Sequence, residues 1–200
     1  SLWEESKKKS DKAIKDLMKA MLFSNNLENL GLEGSSASTS LYKTVLKSQK
    51  IHINENGLWK FKSPDLTENQ SIFHLWHTTL DLLKNSDTAV SVEDIYSLWR
   101  QPPFGMKRGL LPIFSLAFFL TFKDLLAIYH EGMFVTDIDE VLVEEWIRQP
   151  KLFALRFIEL NKEQLQLLKL VSENFSEDID FSKELNPLEC AKQLVTKVFT

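Results

Sequence analysis

Residues 110–122, LLPIFSLAFFLTF, form an apolar run of thirteen positions in mid-chain. No other feature limits the fold as strongly. A membrane-spanning helix needs roughly 20 such residues. This run is bounded by Lys107, Arg108, Lys123 and Asp124, and it lies too far into the chain to be a signal peptide. A helix that is apolar all round must be covered by protein. The expectation is therefore a buried core helix, not a membrane segment. Pro112 falls in its first turn, where the missing N–H costs nothing, and Gly105 and Gly109 permit the turn before it. Ser115 and Thr121 are the only polar residues inside the run.

The rest of the chain is able to build such a core. Of its 200 residues 44% are apolar and 26% charged, an ordinary globular balance, and five Trp and fourteen Phe supply large side chains. Cys190 is the single cysteine, so no intrachain disulfide is available, which fits the reducing cytoplasm. The net charge of −4 is uneven: residues 1–63 carry +4 and the remainder −8. A nucleic-acid surface, if one is present, belongs to the first third.

Apolar spacing predicts a helix over 2–23, with Ile14, Leu17, Met18, Met21 and Leu22 on one face and lysines on the other. The stretch 30–40, LGLEGSSASTS, is a small polar connector. Its GLEGSSAST loosely resembles a phosphate-binding loop but lacks the lysine and the preceding strand that such a loop requires. A helix near 38–49 then buries Leu41, Tyr42, Val45 and Leu46 and leads straight into IHINENGLWKFK. There Asn56-Gly57 between alternating apolar residues signals a β-hairpin. A helix followed at once by a hairpin is the end of a winged-helix module. Helices over about 69–85 and 92–101 follow, the second capped by Ser91, and then the apolar helix and a second hairpin at 125–135. Shifted by 75 residues, the hairpins correspond: Ile51 with Leu126, Ile53 with Ile128, Gly57 with Gly132, Leu58 with Met133 and Trp59 with Phe134.

Beyond 136 the pattern changes. Thr136/Asp137 with Glu140 starts a helix to about 148, and 151–160 reads as a strand apolar on both faces, interior to a sheet or sandwiched. Asn161 with Gln164 caps a helix to about 174. Asn186-Pro187 opens another that meets no stop signal, so the chain reads as a fragment of a longer protein. The fold class expected is α+β, mainly helical. Residues 1–63 hold an N-terminal helix and the first winged-helix-like module, 64–136 the second, and 137–200 a C-terminal α/β cap of helix, strand and helix.

Lys43, Lys47 and Lys50 recur at i, i+4 and i+7 on the helix before the first hairpin, and Lys60 and Lys62 alternate along that hairpin. Five lysines so placed suit a phosphate backbone, with little base readout; the same pattern also describes a solvated face. Lys107 and Arg108 precede the apolar helix, where an anion would be favoured at its start. His74, His77 and Asp81 share a helix face opposite Phe73, Trp76, Leu80 and Leu83, but no further His or Cys stands nearby to complete a metal site. Cys190 has no sequence signature of an activated thiol. Catalytic residues, cofactors and metals are not expected.

Residues 97–135 carry Pro102, Pro103, Phe104 and Gly105 after a helix, then Gly109, the apolar helix and a hairpin. This resembles a segment of large multidomain bacterial P-loop ATPases, many encoded near restriction or phage-defence genes. The resemblance implies a winged-helix-like part of such an ATPase, without its nucleotide-hydrolysing motifs. The function expected is a non-catalytic interaction or regulatory segment of a larger cytoplasmic protein, partnered by other domains of the same polypeptide or by another protein. DNA binding through 38–62 is the alternative.

Overall fold

A computed structural model describes residues 2–158 and Gln166. Its architecture is α+β and mainly helical, with two small antiparallel sheets. The expected helices over 161–174 and from Asn186, together with Cys190, lie outside the described residues.

Helix α1, Leu2–Phe23, buries Ile14, Leu17, Met18 and Met21, as its spacing requires. Helix α2, Ala37–Leu41, starts at Ser36, whose side chain accepts from the Thr39 amide. It continues as a π-helical turn, Tyr42–Lys47, that buries Tyr42, Val45 and Leu46. Strands β1, His52–Glu55, and β2, Leu58–Phe61, pair antiparallel across a two-residue loop. Asn56 (φ 54°) and Gly57 (φ 85°) both adopt the left-handed region there. That is the turn Asn-Gly favours, because its twist matches the strands.

Helix α3, Gln70–Lys84, is capped by Asn69, and helix α4, Val92–Arg100, by Ser91. The two-residue strand β3, Val90–Ser91, precedes α4; periodicity gave no sign of so short an element. Helix α5, Leu111–Thr121, occupies the apolar run and buries every residue from Leu111 to Phe119. It packs against α1, β2 and α4, so the core is built around it. Strands β4, Leu126–His130, and β5, Met133–Phe134, form the second hairpin, with Glu131 (φ 50°) and Gly132 (φ 81°) in its loop.

Helix α6, Glu140–Arg148, begins later than expected. Asp139, not Thr136 or Asp137, is its N-cap, because its carboxylate stands 2.8 Å from the Leu142 amide and accepts from it. Strand β6, Phe153–Phe157, is shorter than the expected 151–160, since Pro150–Leu152 forms a 3₁₀ turn. It is interior to its sheet, as its two apolar faces suggested: the strand order is β3-β6-β4-β5. Strands from 64–136 and from beyond 136 thus share one sheet. One cluster of buried side chains runs from Ile14 of α1 to Leu155 of β6. No helix among the described residues is long and apolar enough to cross a membrane.

Candidate functional site

The first hairpin is pinned to the body by His52, which is buried at the start of β1. Its Nε2–H donates to the Asn25 carbonyl at 2.8 Å, so in the neutral ring Nδ1 accepts from the Tyr42 hydroxyl at 2.9 Å. Trp59 stacks on the imidazole at 5.2 Å and Phe61 lies at 5.0 Å. Burial lowers the pKa of His52; the Asn25 carbonyl opposes this and the Lys47 charge reinforces it. Burial also pushes the Tyr42 phenol up to about 12, with Glu28 adding to the effect.

This anchoring sets where the five lysines stand. They do not form one helical face. Lys43 and Lys47 lie on the π-turn, whose wider winding still keeps i and i+4 to one side, and both are exposed. Lys50 lies outside the helix at φ 60°, in the bend into β1. Lys47 Nζ donates to Asn29 Oδ1 at 2.9 Å. Lys60 and Lys62 both pair with Glu55, Lys62 at 3.1 Å. These pairs hold the Glu55 carboxyl below its usual range, through hydrogen bonds from Lys60 and then Lys62. Lys43 and Lys50 are exposed and make no ion pair among the described residues.

Lys107 and Arg108 are exposed in the turn before α5 and are likewise without an ion pair among the described residues. His74, His77 and Asp81 are exposed on α3. Phe73, expected on the buried face, is only half-buried and lies against His77 at 4.1 Å between ring centres. Three acidic or imidazole groups placed to hold a metal do not occur among the described residues.

Polar groups within the core serve the packing. Ser115 Oγ has one proton, which it donates to the Pro112 carbonyl at 3.0 Å. It therefore accepts from Trp146 Nε1–H and from the Tyr96 hydroxyl, each at 3.0 Å. One hydroxyl so ties α5 to α4 and α6. Thr79 does the same for α3 and α4, accepting from Trp99 Nε1–H at 2.8 Å and donating to the Leu75 carbonyl at 2.7 Å. At the surface, Lys15 pairs with Glu144 and Lys19 with Glu140, holding α1 against α6.

The exposed apolar side chains are the feature that residue-by-residue reasoning passed over. Leu58 is 71% exposed and Met133 70%. Each directly follows the loop glycine of its hairpin, at the positions related by the 75-residue shift. Strand alternation carries the signal: with Trp59 and Phe61 turned toward the body, Leu58 must face outward. Val141 at the start of α6 is 69% exposed.

No protein-family model, no curated protein and no solved structure matches this chain.

Proposed function

We propose that the chain is a non-catalytic interaction segment that docks through its hairpin tips onto other domains of a larger cytoplasmic protein. The observation that carries the reading is the paired exposure of Leu58 and Met133 at equivalent hairpin positions. A lone exposed apolar residue is ordinary on any surface. The same exposure at the tip of two hairpins of like geometry is a repeated feature, and water-exposed apolar surface is what an interface covers. In this reading the two units are winged-helix-like: α2 and its π-turn lead into β1–β2, and α5 leads into β4–β5. The resemblance of 97–135 to defence-linked P-loop ATPases supports a parent protein of that kind.

The test mixes this chain with the separately produced remainder of its parent polypeptide and follows association by calorimetry. Leu58→Asp with Met133→Asp should leave the melting temperature nearly unchanged, because both sites are exposed, and should abolish association. Equal association by the wild type and the double variant would overturn the reading.

DNA binding is the competing reading, and Lys43 and Lys50 are the lysines that favour it. Each phosphate contact contributes roughly −0.9 to the log–log dependence of affinity on salt, so two free lysines give about −2 where five would give about −4 to −5. Duplex titrations at about 50 mM salt, where counterion release is strong, should show only weak binding. Tight binding that is lost in Lys43→Glu with Lys50→Glu would reverse the ranking.

A further inference from the structure

We propose that the cleft between β2 and the end of α5 binds a small phosphate-bearing ligand with a flat apolar portion. This goes beyond the interaction reading and does not depend on it. The cleft is a cavity of about 490 Å³, within the roughly 300–1,000 Å³ of small-molecule sites. Its lining includes three lysines from two parts of the chain: Lys60 and Lys62 at β2, and Lys123 after α5. Lys60 and Lys62 share the single carboxylate of Glu55, which neutralises one of them. Lys123 is exposed and makes no ion pair among the described residues. Asp124 also lines the cleft, and the carbonyl end of α5 adds about half a negative charge. Summed with Glu55, the cleft stays slightly cationic, and a dianion is the ligand that draws on all three ammonium groups at once.

Leu120 and Phe122 add apolar lining to the cleft. Phe122 is held in place by Trp76 at 6.0 Å and Phe118 at 5.1 Å, which makes it a fixed surface for a planar group. Thr121 also lines the cleft, and its Oγ1 is shielded from solvent without a hydrogen-bond partner. A buried hydroxyl left this way is costly. Rotation to another staggered χ1 is the simplest way to give it one. The chemistry is therefore that of a phosphomonoester on an aromatic body.

The probes are a purine nucleoside 5′-monophosphate and inorganic phosphate, titrated into the protein by calorimetry. The nucleotide should saturate and bind more tightly than phosphate. Lys123→Glu should weaken it at least about tenfold, the effect of losing one charge-assisted hydrogen bond. Lys107→Glu, an equal charge change at the other end of α5, should leave it within about twofold, since charges beyond a Debye length are largely screened. Melting curves of both variants should match the wild type. The absence of saturation up to about 10 mM would overturn the proposal. So would equal affinity of wild type and Lys123→Glu, or equal affinity for nucleotide and phosphate.

Discussion

His52 and Ser115 show how much one buried polar side chain decides. The pKa of His52 is lowered on folding, chiefly by burial. The unfolded chain therefore binds its proton more readily, and acid favours unfolding. Stability from this residue is complete above about pH 6.5 and is lost as pH falls below it toward the folded pKa. The Glu55 and Glu144 carboxyls are held below their usual range by lysine partners, so their contributions fail only in more acid solution. Trp fluorescence should accordingly report a loss of stability as pH falls below about 6.5. A flat profile there would show that His52 titrates alike in the folded and the unfolded chain. Ser115→Ala leaves the Trp146 N–H and the Tyr96 O–H buried without an acceptor, at about 1–3 kcal/mol each. Urea denaturation should record a loss of about 2–6 kcal/mol, and a change below about 1 kcal/mol would mean that another acceptor replaces it. The sequence marked Ser115 as an oddity in an apolar run. It held no sign of the two donors, which lie 19 and 31 residues away along the chain.

Elements differ in how directly composition dictates them. Helix α5 is the most direct case, because a segment with no polar face has nowhere to go but the interior. Phe118 is fully buried and touches Trp76, Trp99 and Phe122. Phe118→Asp places an unpaired charge among these rings, at a cost of several kcal/mol against a margin of about 5–15. Circular dichroism should show no cooperative melt, and a folded, soluble variant would contradict the packing. The hairpin loops differ by one residue. Asn56 suits the left-handed region, whereas Glu131 at φ 50° does not. Glu131→Asn should therefore stabilise by about 0.5–1 kcal/mol, measured by thermal melting, while Asn56→Glu should cost a similar amount. The lysine helix ends earlier than expected: its π-turn closes at Lys47, so Lys50 stands in the bend into β1 and not on the helix.

Across the whole molecule, strand β6 joins what lies before residue 136 to what lies after it. It pairs with β3 on one side and β4 on the other, and Phe153 and Leu155 are fully buried. A chain ending at residue 149 should therefore lose more than an appendage. The two side chains alone contribute about 3–6 kcal/mol, comparable with the whole margin of a domain, before the unpaired ladder of β4 is counted. Such a truncation should melt without cooperativity in calorimetry. A sharp transition close to that of the longer chain would show that the preceding part folds by itself.

Local chemistry was enough to place α1, α3, α4 and α5, the Asn-Gly turn, the Ser91 cap and the burial of 110–122, because these follow from side chains within a few residues of one another. The outward turn of Leu58 and Met133 also lay within reach, through strand alternation. Tertiary structure alone decided the rest. It set β6 between β3 and β4, engaged Lys47 with Asn29 and paired Lys60 and Lys62 with Glu55, and it brought Lys123 to the same cleft as the first hairpin. Each of these depends on how distant segments meet around α5. An ammonium group is free or engaged according to the carboxylate or carbonyl within about 3–4 Å of it, and spacing along the chain does not carry that distance.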